Sequence, residues 1–345
     1  MLNAPTPDST APYATAPDAP APKKSPVKKI LIALAISAAF LIGYMLIQLA
    51  VSAVFMAVLT FMAAAVNPQL AVAGNAGNPD ALRDYVTDIY MEHVAEIFII
   101  SGVLMLGIIF LVLLLTYKKG SWQMANILRL PERMKGGRGF GVLALCFAAG
   151  LMFNAGFVAL IELIPFPESW LEANNESVGA IMRGSILAAI LATSVIAPLV
   201  EELLFRGIFY TLLRDAIPGR RRAAMLIAGA VVSVVFGIYH GNILQGIYTC
   251  VFSVLLVAIY EMTGSVWGPV AMHMGFNSSW IISWLLLIVF NVIGLPAGGA
   301  IFLAISAALV VGIFLLTVHG QRHAAGGNDR PGDPAYNSDL SAPLS

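Results

Sequence analysis

The chain alternates long apolar stretches with short polar connections along nearly all of its 345 residues. An apolar stretch of about 18 or more residues is long enough to cross the hydrocarbon core of a bilayer as a helix. The pattern predicts eight such spans, at roughly 31–65, 94–116, 140–163, 184–213, 223–240, 244–261, 266–290 and 298–318. We therefore predict an all-α fold, a multi-pass transmembrane helix bundle of about eight spans.

The two ends of the chain have a different composition. Residues 1–29 are rich in Pro and Ala, and residues 321–345 are rich in Gly, Asp and Pro. Such segments bury too little apolar surface to offset the entropy of ordering, so both tails are predicted to be disordered. Between them the pattern predicts an N-terminal region of three spans (30–180), a core of four spans (181–290) and a last span (291–320).

The formal net charge is zero, which gives no indication of a nucleic-acid partner. The charges are nevertheless unevenly distributed among the connections. Lys and Arg concentrate between spans two and three and between spans four and five, whereas the other connections are mainly acidic. Because basic connections favour the cytoplasmic side, we predict a cell-membrane protein, surrounded by lipid, with both termini in the cytoplasm.

Two adjacent carboxylates, Glu201 and Glu202, lie within the fourth span. A charged side chain inside a bilayer costs several kcal/mol, so specific contacts must hold it there. Glu202 and Arg206 are four residues apart and can pair on one helix face, whereas Glu201 points about 100° away. A carboxylate without such a partner suits general acid–base catalysis. The alternative is a structural ion pair between helices.

Two further polar groups lie in later spans. His240 follows Phe236 by four residues at the end of the fifth span, and His273 precedes Asn277 by four on the seventh. Residues at this spacing share one helix face, so His273 and Asn277 are predicted to face the same cavity. The non-catalytic alternatives are a helix-capping histidine for His240 and hydrogen bonds between helices for the other two.

The order of these three motifs resembles the CPBP family, which comprises CAAX-prenyl-endopeptidase-like and bacteriocin-processing proteins and is also called Abi. The motifs are Glu-Glu-x-x-x-Arg, Phe-x-x-x-His and His-x-x-x-Asn, and the resemblance covers about residues 184–290. It implies an intramembrane, glutamate-dependent endopeptidase that acts on a membrane-associated protein or peptide. In that scheme Glu201 and His240 activate water, while His273 and Asn277 stabilise the oxyanion. Glu202, Arg206 and Phe236 then support the site.

A metal cofactor is left open by the residues themselves. Glu201, His240 and His273 match the composition of a catalytic zinc set with a position left for water. They would come from three separate helices, and a glutamate with a histidine can also activate water without a metal. The expectation is therefore an enzyme of the metalloprotease type with a divalent metal such as zinc, although the residues alone leave the metal open.

Two non-proteolytic functions also remain open: a membrane immunity or scaffold protein, and a transporter with a proton relay.

The predicted spans also raise a geometric problem. Counting about 1.5 Å per residue, Glu201 lies roughly 20 Å from the cytoplasmic face, His273 about 12 Å, and His240 near the outer face. A shared site therefore requires at least one span to start elsewhere, tilt or bend.

Overall fold

The computed structural model describes residues 25–66, 80–117, 128, 131 and 134–326, and all regular elements in these ranges are helices. Eight of them are long and apolar enough to cross a membrane, which confirms the predicted all-α bundle. The protein is therefore an integral membrane protein. In chain order the helices are α1 (Pro26–Val66), α2 (Asp80–Glu92), α3 (Val94–Tyr117), α4 (Gly136–Ile161), α5 (Glu168–Met182), α6 (Ile186–Ala216), α7 (Arg221–Tyr239), α8 (Ile243–Thr263), α9 (Trp267–Ile293) and α10 (Leu295–Gly326).

Several helix ends differ from the predicted ones. Residues 26–29 form the first turn of α1 instead of part of a disordered tail, and α10 continues to Gly326, beyond the predicted boundary at 320. The predictions for residues 1–24 and 327–345 lie outside the described ranges. The helices α2 and α5 were not predicted, because each is shorter than a membrane span and rich in polar residues.

The helix α4 packs closely against α9, because glycines remove the side chains where the two helices cross. A Cβ atom placed on Gly150 would lie 1.9 Å from the carbonyl oxygen of Met272, and one on Gly275 would lie 1.9 Å from that of Phe147. The backbones therefore touch at a point adjacent to His273. The predicted N-terminal region thus packs directly on the predicted core.

The connection between α8 and α9 is mostly buried against the rest of the bundle, with only Gly264 exposed. Ser265 and Val266 are buried, and the indole N–H of Trp267 donates a hydrogen bond of 3.1 Å to the carbonyl oxygen of Leu128. The start of α9 is therefore packed against residues that are distant in the chain. The depths predicted for Glu201, His240 and His273 stay a prediction.

Replacing Gly150 with Ala should destabilise the bundle by about 1–3 kcal/mol, because the added methyl group forces the α4 and α9 backbones apart. The matched control is Gly141→Ala on the same helix, where a Cβ atom would meet nothing within 4 Å. That variant should be neutral or slightly stabilising, since alanine favours a helix over glycine. Thermal unfolding of the purified protein in detergent measures both, and equal melting temperatures would contradict the glycine contact.

Candidate active site

The helix that carries both glutamates, α6, changes its winding twice. Two π-helical segments, Ala192–Ile196 and Leu203–Tyr210, flank a short α-helical segment, Ala197–Glu202. Pro198 explains the first change, because its ring would clash with the carbonyl four residues earlier in a regular α-helix. Widened turns of this type occur frequently at functional sites. Here they set the direction in which Glu201 and Glu202 point.

The Glu202 carboxylate forms the centre of a buried polar cluster. Its Oε1 atom accepts a hydrogen bond of 2.9 Å from Nη1 of Arg206, one helical turn away. The same oxygen lies 2.8 Å from Nδ1 of His273 on α9. The side chains of Glu202 and Arg206 are both 0% exposed. One carboxylate oxygen therefore joins a guanidinium and an imidazole across two helices, and the predicted Glu202–Arg206 contact is present.

The Arg206 guanidinium makes two further contacts that hold it in place. Its Nη2 atom donates to the hydroxyl of Ser253 at 2.5 Å and to the Ser253 carbonyl at 3.2 Å. Its central carbon also lies 4.7 Å from the centroid of the Phe236 ring, within the range of a cation–π contact. The predicted supporting residue Phe236 therefore acts as a packing surface for Arg206.

The neighbouring carboxylate, Glu201, has a different environment. Its Oε2 atom lies 3.8 Å from Nε2 of His273, and its side chain is 13% exposed. Among the described residues this oxygen has no hydrogen-bond partner. Glu201 is thus close to the imidazole yet free to bind another group, which agrees with the expectation that it lacks the Arg206 contact.

His240 is the residue that follows the last turn of α7, and it contacts the same cluster through the ring of Phe236. The His240 ring centroid lies 4.7 Å from that of Phe236, which in turn lies 5.9 Å from that of His273. The Nδ1 atom of His240 is 2.7 Å from the Phe236 carbonyl, which can only accept, so Nδ1 carries the hydrogen and Nε2 is available.

Asn277 contacts the first π segment. Its Nδ2 atom donates a hydrogen bond of 2.8 Å to the main-chain carbonyl of Thr193. The Ser194 hydroxyl donates to the main-chain carbonyl of Asn277 at 3.3 Å. One amide hydrogen of Asn277 is therefore engaged by the backbone of α6, which leaves the second for another acceptor. The oxyanion role expected for this residue stays a prediction.

The structure adds site residues that sequence reasoning missed. Ser253 anchors Arg206, and the Phe252 ring lies 5.6 Å from that of His273 and 4.0 Å from that of Phe276. Both residues belong to α8, for which the sequence predicted no site residue. A single serine or phenylalanine in an apolar span has no distinguishing pattern, so only the packing of α8 on α6 and α9 reveals these contacts.

The expected metal site also depends on this geometry. Within the described ranges, no three or more His, Cys, Asp or Glu side chains are arranged so that they could hold a metal ion. In this arrangement Nδ1 of His273 is directed at Glu202 and Nδ1 of His240 at a carbonyl. The zinc set Glu201, His240 and His273 stays a prediction, and the reaction proposed for these residues does not require a metal.

Buried carboxylates and imidazoles converge inside the helical membrane bundle, and clusters of this kind are candidates for functional sites. Residues 183–279 match the family model "Type II CAAX prenyl endopeptidase Rce1-like". This segment contains all three motifs, so the resemblance predicted from them is confirmed there. The family implies a peptidase, although the match covers less than a third of the chain.

A search of curated proteins gives the same kind of relative. The chain is 23% identical over 131 residues to the Bacillus subtilis (strain 168) protein "Putative membrane peptidase YdiL". That alignment covers 38% of this chain and 51% of the relative, so the chain spans about half the length of the relative. No solved structure matches the chain.

Replacing Arg206 with Met should destabilise the protein by about 3–5 kcal/mol, because it leaves the buried Glu202 carboxylate without its cation. The matched control is Arg83→Met on α2, whose ion pair with Asp80 spans 3.7 Å and is largely exposed. Its loss should change stability by less than about 1 kcal/mol. The measurement is thermal unfolding in detergent, and similar losses in the two variants would argue against a buried ion pair in the site.

Proposed function

We propose that the protein is a glutamate-dependent intramembrane endopeptidase of the CAAX type, which hydrolyses a peptide bond in a membrane-associated protein or peptide. The observation that supports this most directly is the unequal environment of the two glutamates. Oε1 of Glu202 contacts both Arg206 and His273, whereas the Glu201 carboxylate approaches Nε2 of His273 only to 3.8 Å. Both carboxylates have an Oε2 atom without a hydrogen-bond partner in the described residues. One carboxylate can thus organise the site while the other takes part in the reaction.

In the proposed reaction, Glu201 accepts a proton from a water molecule that is also hydrogen-bonded to Nε2 of His240. The water oxygen attacks the carbonyl carbon of the scissile bond, and an oxyanion forms on the former carbonyl oxygen. The imidazole of His273, which contacts Glu202 through Nδ1, and the second amide hydrogen of Asn277 stabilise that charge. The carbon–nitrogen bond then breaks, and Glu201 returns its proton to the leaving amine.

The first test is Glu201→Gln, which keeps the size of the side chain but removes the base. We expect it to abolish cleavage with little effect on stability, because the 3.8 Å separation between Oε2 of Glu201 and Nε2 of His273 is too long for a hydrogen bond. The matched control is Glu96→Gln on α3, which also has a buried carboxylate oxygen without a partner in the described residues. Comparative proteomics of membranes from cells expressing each variant would show precursor proteins that accumulate only with Glu201→Gln.

A scaffold or immunity protein predicts a different result from the same experiment. In that case the buried polar residues only hold helices together, so Glu201→Gln would change expression or melting temperature and no uncleaved precursor would accumulate. That outcome would reject proteolysis. A transporter would be indicated by solute or proton flux in proteoliposomes that Glu201→Gln removes.

We further infer that both termini lie in the cytoplasm, with the Arg220–Arg222 end of α7 on the same side. Fluorescent and alkaline-phosphatase reporters fused to the C-terminus would distinguish the two orientations, because the first fluoresces in the cytoplasm and the second is active outside it. Phosphatase activity of the fusion would overturn this orientation.

A further inference from the structure

The second π segment, Leu203–Tyr210, ends at a junction where a side chain replaces a backbone contact. In a π-helix an N–H group bonds to the carbonyl five residues earlier. At Thr211 the backbone N–H instead bonds to the carbonyl of Ile208, three residues earlier. The Thr211 hydroxyl donates to the carbonyl of Arg206, five residues earlier, at 2.9 Å. The hydroxyl therefore preserves the π spacing at the point where the backbone leaves it.

Side chains of the helix α8 contact this junction. The Tyr260 hydroxyl lies 3.1 Å from that of Thr211, and since Thr211 donates to Arg206, Tyr260 is the donor in this contact. The next residue, Glu261, accepts at Oε1 from the Tyr210 hydroxyl at 2.9 Å and from Nη1 of Arg214 at 2.6 Å. Two consecutive residues of α8 thus fix the end of the π segment.

The helix α8 contacts Arg206 at two places: its guanidinium directly, and its main-chain carbonyl through Thr211. Ser253 of α8 binds the guanidinium, while Tyr260 reaches the Arg206 carbonyl through Thr211. π turns have no strong intrinsic stability and are found as short pieces, so their register depends on such tertiary contacts. A shift of one residue in this segment would rotate the side chains that follow it by about 100°. A shift that spreads back to Leu203 would separate Arg206 from Glu202.

From this arrangement we propose that Thr211 is a positioning residue for the candidate active site: its hydroxyl holds the second π segment in register and so keeps Arg206 on Glu202. Thr211 touches none of the reacting groups and acts through Arg206. The effect on cleavage rests on the proposed function, whereas the effect on the register of α6 does not.

The test compares Thr211→Val, which replaces the hydroxyl with a methyl group of similar size, with Thr211→Ser, which keeps the hydroxyl. The matched control is Thr249→Val on α8, where the buried threonine bonds to the Gln245 carbonyl of its own helix at 2.7 Å. Two readouts are measured on the full-length protein: amide hydrogen exchange of residues 203–210, and cleavage of a precursor that accumulates with Glu201→Gln.

We expect Thr211→Val to accelerate exchange in residues 203–210 and to slow cleavage about tenfold, the size expected for one lost buried hydrogen bond. Thr211→Ser should restore both properties, and Thr249→Val should change neither. Should Thr211→Val fail to fold, Tyr260→Phe removes the partner of the Thr211 hydroxyl and should produce the same two effects more weakly.

Unchanged exchange in Thr211→Val would overturn the role of the hydroxyl in holding the register. Faster exchange with unchanged cleavage would overturn its positioning role in the site. If no precursor accumulates with Glu201→Gln, the proposed peptidase function fails, and exchange alone still decides whether Thr211 holds the segment. The two failures are therefore distinguishable.

Discussion

The arrangement of the site depends on the buried carboxylate of Glu202. A negative charge removed from water destabilises a protein strongly unless cations and hydrogen-bond donors surround it. Arg206 and His273 both contact a single oxygen of this carboxylate, at 2.9 and 2.8 Å. Because they belong to α6 and α9, the charge can be buried only when these helices have one relative depth and rotation. The same requirement directs Nδ1 of His273 at Glu202, while Glu201 stays outside the contact with Arg206.

Two features of the backbone make that contact possible. The π segments on either side of the glutamates rotate them relative to a regular helix, and side chains of other helices contact both segments, with Asn277 at Thr193 and Tyr260 through Thr211. On the opposite side, the glycines Gly150 and Gly275 let α4 touch α9 beside His273. The site is therefore supported from α4, which lies outside the family-matched segment 183–279.

The structure also separates the roles of two glutamates that are adjacent in sequence. Their side chains point about 100° apart on the helix, so one meets Arg206 while the other faces the space beside His273. This separation is what the proposed reaction requires, since one carboxylate organises the site while the other exchanges a proton with water. The residues Ser253 and Phe252 complete the surroundings of Arg206 and His273, and both lie on a helix without a family motif.

The sequence by itself determined the number of spans, their approximate ends and the three motifs. Apolar length and helical spacing are local properties, and the pairing of Glu202 with Arg206 follows from a separation of four residues. The tertiary structure decided that the α8–α9 connection is buried, that α6 contains π segments, and that Ser253 and Phe252 belong to the site. Each of these depends on contacts between residues distant in the chain, such as Arg206 with Ser253 and Trp267 with Leu128. Helical periodicity describes the faces of one helix and contains no information about the depth at which another helix packs against it.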